Sequence, residues 1–236
     1  MRITVIGHGR VGTHLYRALL AAGHDVLWAS GRHLPPLQPC DIALIAVTDS
    51  ALPSVARQLC HLLPPDVIVA HTAGSIGIEV FQSRPMSGVL YPMQTFSKER
   101  DVDFTQIPVF IEANCPEARQ ALTALAASLS RHVTYLTSHE RRRLHVAAVF
   151  ACNFVNHCVT LADDILRPAG LDYRTMLPLL RETISKLDTL SPTDAQTGPA
   201  IRADHSVMEE HQRMLDNETS KEIYRLMSLS IQEHQL

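Results

Sequence analysis

Apolar positions in the first 136 residues fall into short, β-branched runs at 3–6, 25–29, 42–47, 67–71, 88–90, 109–112 and 133–136. Most of these runs are apolar at successive positions, so both faces of each strand are expected to be buried. Between several of them lie stretches with helical spacing, at 11–22, 51–63 and 116–130. Strands alternating with helices predict an α/β, doubly wound, mostly parallel sheet with helices on both faces. After residue 137 the strand signal stops. Ser138 can cap a helix reaching about residue 166, with an apolar stripe of Leu144, Ala148, Ala151, Val155, Val159, Ala162 and Leu166, and with Val149, Phe150 and Phe154 beside it. Such a helix is expected to be largely buried. Pro168 and Gly170 end it, and further helices are expected at about 173–187, 203–215 and 219–232. The pattern thus predicts two domains, an α/β domain over 1–137 and an all-α domain over 138–236.

Composition narrows the range of functions. Twenty-one basic residues against 24 acidic ones, with no basic block, give no electrostatic footprint for nucleic acid. Five cysteines without a CxxC pair suit a reduced, cytoplasmic setting, and no run reaches the ~18 apolar residues of a membrane span, so neither disulfides nor a membrane partner is expected. Thirteen histidines show no metal-ligand spacing. His139-Glu140 and His145 form HExxxxH, which does not place both rings on one helical face, and no metal site is expected. Arg141-Arg142-Arg143, at a helix start where cations are unfavourable, reads as a solvated run.

The chemistry begins at Gly7-His8-Gly9-Arg10-Val11-Gly12, a G-x-G-x-x-G directly after a strand and opening a helix. The first glycine permits the tight turn, the second lets a pyrophosphate approach the backbone, and the third allows close helix–strand packing; helix amides then meet the anion. An NAD site usually carries Asp or Glu about 20 residues further on, at the end of the second strand. That place reads Ser30-Gly31-Arg32, with no acid, and a guanidinium there can bind a 2′-phosphate bidentately. NADP is therefore expected in preference to NAD. Ala46-Val47-Thr48 and Ala73-Gly74-Ser75 follow later strands and should face the same crevice, the small residues admitting the cofactor and Ser75 a substrate anion or the nicotinamide amide; either segment alone also suits ordinary loop and N-cap chemistry.

Together with Gly7–Gly12 and 71–75, the segments Leu90-Tyr91-Pro92-Met93-Gln94-Thr95-Phe96, 145–154 and 195–204 resemble an uncharacterised bacterial family. That family joins a Rossmann-like NADP-binding domain to a helical domain of unknown function. The chain is also similar, more distantly, to pyrroline-5-carboxylate reductase, prephenate dehydrogenase, ketopantoate reductase and 6-phosphogluconate dehydrogenase. The resemblance implies a C-terminal domain like that of 6-phosphogluconate dehydrogenase, a homodimer formed through it, and substrate contacts from Ser75, Tyr91, Gln94 and Arg202.

Hydroxyacid dehydrogenases of that superfamily place a Lys four residues before an Asn on the long central helix. Here Asn153 is present but Val149 stands at the Lys position. His145 lies eight residues before Asn153, about 12 Å along a helix, too far to act at the same atom. With only Lys98, Lys186 and Lys221 in the chain, Lys186 is the main amine candidate; it polarises a carbonyl or is a solvated helix charge. His71 and Tyr91, at strand ends, donate protons or are hydrogen-bonded structural residues. Arg202 clamps a substrate carboxylate or pairs with Asp204. Two functions fit: an NADP-dependent oxidoreductase moving hydride to or from a small carboxylate-bearing carbonyl or imine at the crevice between the domains, with Lys186, Asn153 and His71 as catalytic candidates, and an NADP(H)-binding sensor or scaffold without turnover.

Overall fold

The computed structural model describes residues 1–31, 38–82 and 84–234. They form two compact units, Met1–Phe150 and Ala151–Leu236.

The first unit is built on seven strands: β1 (Arg2–Ile6), β2 (Asp25–Ala29), β3 (Ile42–Ile45), β4 (Ile68–His71), β5 (Ser87–Pro92), β6 (Val109–Ala113) and β7 (Val133–Tyr135). Their order is β2-β1-β3-β4-β5-β6-β7, and every pairing is parallel except β5 with β6. This is the Rossmann-like sheet that the apolar runs predict. Helices α1 (Arg10–Ala21) and α3 (Pro116–Leu129) cover one face, where Leu15, Leu19, Leu122 and Leu125 pack on Val5, Leu44 and Leu90. Helix α2 (Leu52–Leu62) covers the other, with Val55, Ala56 and Leu59 against Ala43, Ile45 and Val69. Because successive strand residues point to opposite faces, Leu44 and Ile45 serve different cores, and β3 is buried at all four positions. Strand β5 is longer than its apolar run, because the antiparallel ladder with β6 carries it to Tyr91 and Pro92.

The boundary between the units follows residue 150, not 137. Helix α4 (Ser138–Ala148) is tied to the sheet unit at its start. Ser138 donates to Glu112 from its backbone N–H at 2.8 Å and its hydroxyl at 2.7 Å, and the buried Arg141 pairs with the same carboxylate.

The second unit is all-helical, with α5 (Val155–Leu166), α6 (Leu177–Ser185), α7 (His205–Met214) and α8 (Glu218–Glu233). Residues Val149–Phe154, which span the boundary, adopt a π-helical turn. The expected burial of the long apolar helix is not found in the single chain: no residue of Val149–Phe154 or α5 is buried. Among the described residues, one helix, Ser138–Ala169, is long and apolar enough by length and composition to cross a membrane.

Candidate functional site

The turn after β1 is held by its glycines. Gly7 has φ +122°, and a Cβ on it would lie 2.2 Å from the Ala46 carbonyl oxygen; one on Gly12 would lie 2.2 Å from the Gly7 carbonyl oxygen. Both therefore serve close packing of β1, α1 and β3. Gly9 differs, since its nearest neighbour to an added Cβ is the Ala46 oxygen at 3.9 Å, so open space lies above it. Gly9 is also the N-cap of α1, with no side-chain cap and no acidic residue in the first turn. By contrast, α3, α4, α7 and α8 are capped by Cys115, Thr137, Asp204 and Asn217. Helices α2, α5 and α6 also lack a side-chain cap; at α1 the uncapped end lies on the glycine turn, where the helix dipole favours an anion.

Trp28, the only tryptophan, braces this turn. Its indole N–H donates to the Gly7 carbonyl at 2.8 Å, its ring stacks on Tyr16 at 4.5 Å, and the His8 ring meets it edge-on at 4.6 Å.

A cavity of about 860 Å³ opens from the turn across the carboxyl ends of the parallel strands. Ser30 and Gly31 line it after β2, and Gly7–Val11 after β1. Ala46–Asp49 and Ala51 follow after β3, then Thr72–Gly74 after β4. Its far end is formed by Tyr91 and Pro92 at the end of β5, by Gln94 just after it and by His145 from α4. All these residues belong to the first unit. The volume suits an organic ligand, and the place is the one where open α/β sheets bind theirs, at the switch in strand order between β1 and β3.

The structure therefore brings together Gly7, His8, Gly9, Arg10, Val11, Ser30, Gly31, Ala46, Val47, Thr48, Ala73, Gly74, Tyr91 and Gln94, with Gly12 packed beneath the turn. Arg32 lies outside the described residues. Ser75 is not among the lining residues, and its hydroxyl donates to the Asp49 carboxylate. His71 is fully buried against Phe81, and its Nδ1 accepts from the Ala73 N–H at 3.1 Å. Burial, aided by the charge of Arg141, lowers its pKa to about 3, so the ring is neutral and has no imidazolium proton to give near pH 7. The role of proton donor does not fit it in this position. Asn153 sits exposed in the π-helical turn, Lys186 half-buried after α6, and Arg202 exposed before α7. All three belong to the second unit, and none lines the cavity.

Two features escape a reading by local pattern. His145 faces Tyr91, its Nδ1 3.3 Å from the phenolic oxygen. Arg141 is not solvated: it is 1% exposed and bound to Glu112, and it donates to the Ile76 carbonyl at 2.6 Å. Arg142 donates to the Ser75 carbonyl at 3.2 Å and pairs with Glu79. The one available signal is that Arg141 and His145 are four apart and share a helix face.

A family model described as a domain of unknown function, DUF2520, matches residues 107–231, more than half of the chain. The chain belongs to the DUF2520 family. A structure from Bacteroides fragilis, provisionally named an NADP oxidoreductase, is 37% identical, with each chain 98% covered and a TM-score of 0.90. A Streptomyces aurantiacus imine reductase is 13% identical over 99% of this chain and 94% of that one, with a TM-score of 0.63. The NADP-bound pyrroline carboxylate reductase of Plasmodium falciparum is 11% identical over 98% of each chain, with a TM-score of 0.60. These last two share the fold with this DUF2520 member. No curated protein sequence matches it.

Proposed function

We propose that this DUF2520 protein is an NADP-dependent oxidoreductase that moves hydride to or from the carbonyl or imine carbon of a small, carboxylate-bearing substrate. The observation that carries the reading is the open space above Gly9 at the uncapped start of α1, continuous with a cavity that crosses the ends of β2 to β5. The α1 amides and the turn would hold the pyrophosphate. Ser30, with Arg32 two residues on in the sequence, would hold the 2′-phosphate, and no acid stands at the end of β2 to repel it. The small side chains of Ala46 and Ala73 would leave room for the nicotinamide half, which supplies or accepts the hydride when bound. The provisional name of the Bacteroides fragilis relative supports the same reading.

Trp28 makes the test direct. Titration with NADPH is expected to quench its emission and to raise the melting temperature. NADH is expected to bind more weakly by about tenfold, or about 1.4 kcal/mol. Arg32→Ala should remove most of that difference. Failure of both nucleotides, at millimolar concentration, to change either signal would overturn the reading. Hydride exchange from labelled NADPH into a metabolite separates an enzyme from a sensor without turnover.

We also propose a second copy of the chain as the partner of the helical unit. Among the described residues of Ala151–Leu236, only Ala200 and Met208 are buried apolar residues, whereas Phe154, Ile165, Leu179, Ile184 and Met214 are about half-exposed or more. Helices of this length need tertiary burial to be stable. A standard interface removes about 800 Å² per partner, roughly what ten such side chains would contribute at 80 Å² each. Light scattering on the purified protein is expected to give a dimer, and Phe154→Glu with Leu179→Glu to dissociate it. A monomer at micromolar concentration, or partition of the wild type into vesicles, would count against this partner.

A further inference from the structure

We infer that Tyr91 and His145 form the proton-transfer pair of this cavity, with Tyr91 giving a proton to the substrate's carbonyl oxygen or imine nitrogen and His145 restoring it. The inference rests on the oxidoreductase reading and assigns chemistry to one end of the cavity.

The strand order sets which end. With the pyrophosphate held at β1 and the 2′-phosphate over β2, the residues after β3 and β4 would hold the remaining half of the dinucleotide on the side towards β5. Each strand adds about 4.8 Å, so β5 lies roughly 14 Å from β1, within reach of a small molecule placed beyond the nicotinamide. Tyr91 is the second-last residue of β5 and points into the cavity there. Its hydroxyl is 3.3 Å from His145 Nδ1, and the two rings meet edge-on with centroids 6.2 Å apart. Both side chains are half-buried, accessible to a ligand yet partly screened from water.

Other titratable groups on the wall are placed differently. His8 and Arg10 belong to the phosphate turn, and the Asp49 carboxylate accepts the Ser75 hydroxyl at the end of β3. The backbone also makes room for the pair. A Cβ on Gly74 would lie 2.6 Å from His145 Nδ1 and 3.0 Å from Tyr91 Cζ, so a glycine after β4 is what allows both rings to occupy this corner. Arg141 then holds α4 one turn before His145 and, through the Ile76 carbonyl, the loop that contains Gly74.

The step balances with a reduced nicotinamide as the named reductant. As the carbonyl carbon accepts hydride, the C=O π pair moves onto oxygen and takes the Tyr91 proton, giving an alcohol; an imine gives an amine. The phenolate regains a proton from His145 Nδ1, and the histidine takes one from solvent in return, so the reduction consumes one proton overall. His145 acts through Tyr91 and is a positioning and relay residue.

The test uses the full-length protein labelled with ¹³C at the tyrosine Cζ, the Tyr91 signal being assigned from its loss in Tyr91→Phe. Oxamate, with NADP⁺ bound, serves as a carbonyl and carboxylate probe. It is expected to shift the Tyr91 signal, and His145→Gln to alter that shift, while Trp28 reports unchanged nucleotide affinity in both variants. With glyoxylate as the reducible probe, NADPH oxidation is expected to fall by about 100-fold in Tyr91→Phe, the usual scale for a lost general acid, and no further in the double variant. A Tyr91 signal that ignores oxamate while Trp28 shows NADP⁺ bound would overturn the pair and leave the nucleotide site standing. So would a wild-type rate on glyoxylate no greater than that of Tyr91→Phe. Silence of Trp28 would instead overturn the nucleotide reading beneath it.

Discussion

Arg141→Ala is expected to lower the melting temperature of the protein by roughly 6–20 °C. Arg141 and Glu112 are 1% and 9% exposed at their side chains, so removing the guanidinium leaves a carboxylate buried without its counter-charge. Breaking such a pair costs about 3–5 kcal/mol, and a unit of this size loses roughly 2–4 °C per kcal/mol. The double change Arg141→Met with Glu112→Leu should recover part of the loss, because no charge is then stranded. Recovery stays incomplete, since the Ile76 carbonyl and the Ser138 N–H lose their partners. Thermal denaturation of the three variants checks this; an Arg141→Ala melting temperature within a degree or two of wild type would show that the pair contributes little. Because Arg141 lies one helical turn from His145, the same variant should also displace His145 from Tyr91, visible as a change in the Tyr91 NMR signal.

Gly9→Ala and Gly12→Ala should separate binding from folding, although both lie in one motif. An added Cβ at Gly9 meets nothing closer than 3.9 Å, so stability should stay within about 0.5 kcal/mol of wild type. The methyl group would occupy the space in which a pyrophosphate approaches the α1 amides. Loss of one or two charge-assisted hydrogen bonds, at about 1.5–3 kcal/mol each, predicts a fall in NADPH affinity of roughly tenfold for one weak bond and about 10,000-fold for two strong ones. At Gly12 the added Cβ is driven to 2.2 Å from the Gly7 carbonyl oxygen, and helix and strand must part. Overpacking of that kind costs about 1–3 kcal/mol, or roughly 2–12 °C, and should also weaken binding. Trp28 quenching and thermal melting, measured side by side, distinguish the two. Wild-type affinity in Gly9→Ala would mean that no phosphate lies over this turn.

The glycine turn could be read from residues 7–12 because its requirements are local: a strand, three glycines at fixed spacing and a helix, all within one short segment. The same holds for the small residues after β3 and β4. His71 misleads for an equally local reason. A histidine at a strand end resembles a proton donor until the packing of Phe81 and the charge of Arg141 around it are known. Arg141 misleads in the opposite sense, since three consecutive arginines at a helix start look solvated, and Glu112, its partner, is 29 residues away.

By itself, the sequence determined the seven strands, the helices between them, the glycine turn after β1 and the helical character of the second half. Each of these depends on periodicity or on residues close in the chain. Only the tertiary structure decided which polar groups meet. Tyr91 and His145 are 54 positions apart, on a strand and a helix that no local pattern joins. Glu112 and Ile76 bring them together by holding the start of α4 against the sheet. Burial, too, was decided there: the apolar stripe of the long helix marks a face that seeks cover, but a stripe does not state whether its cover lies in the same chain or in another.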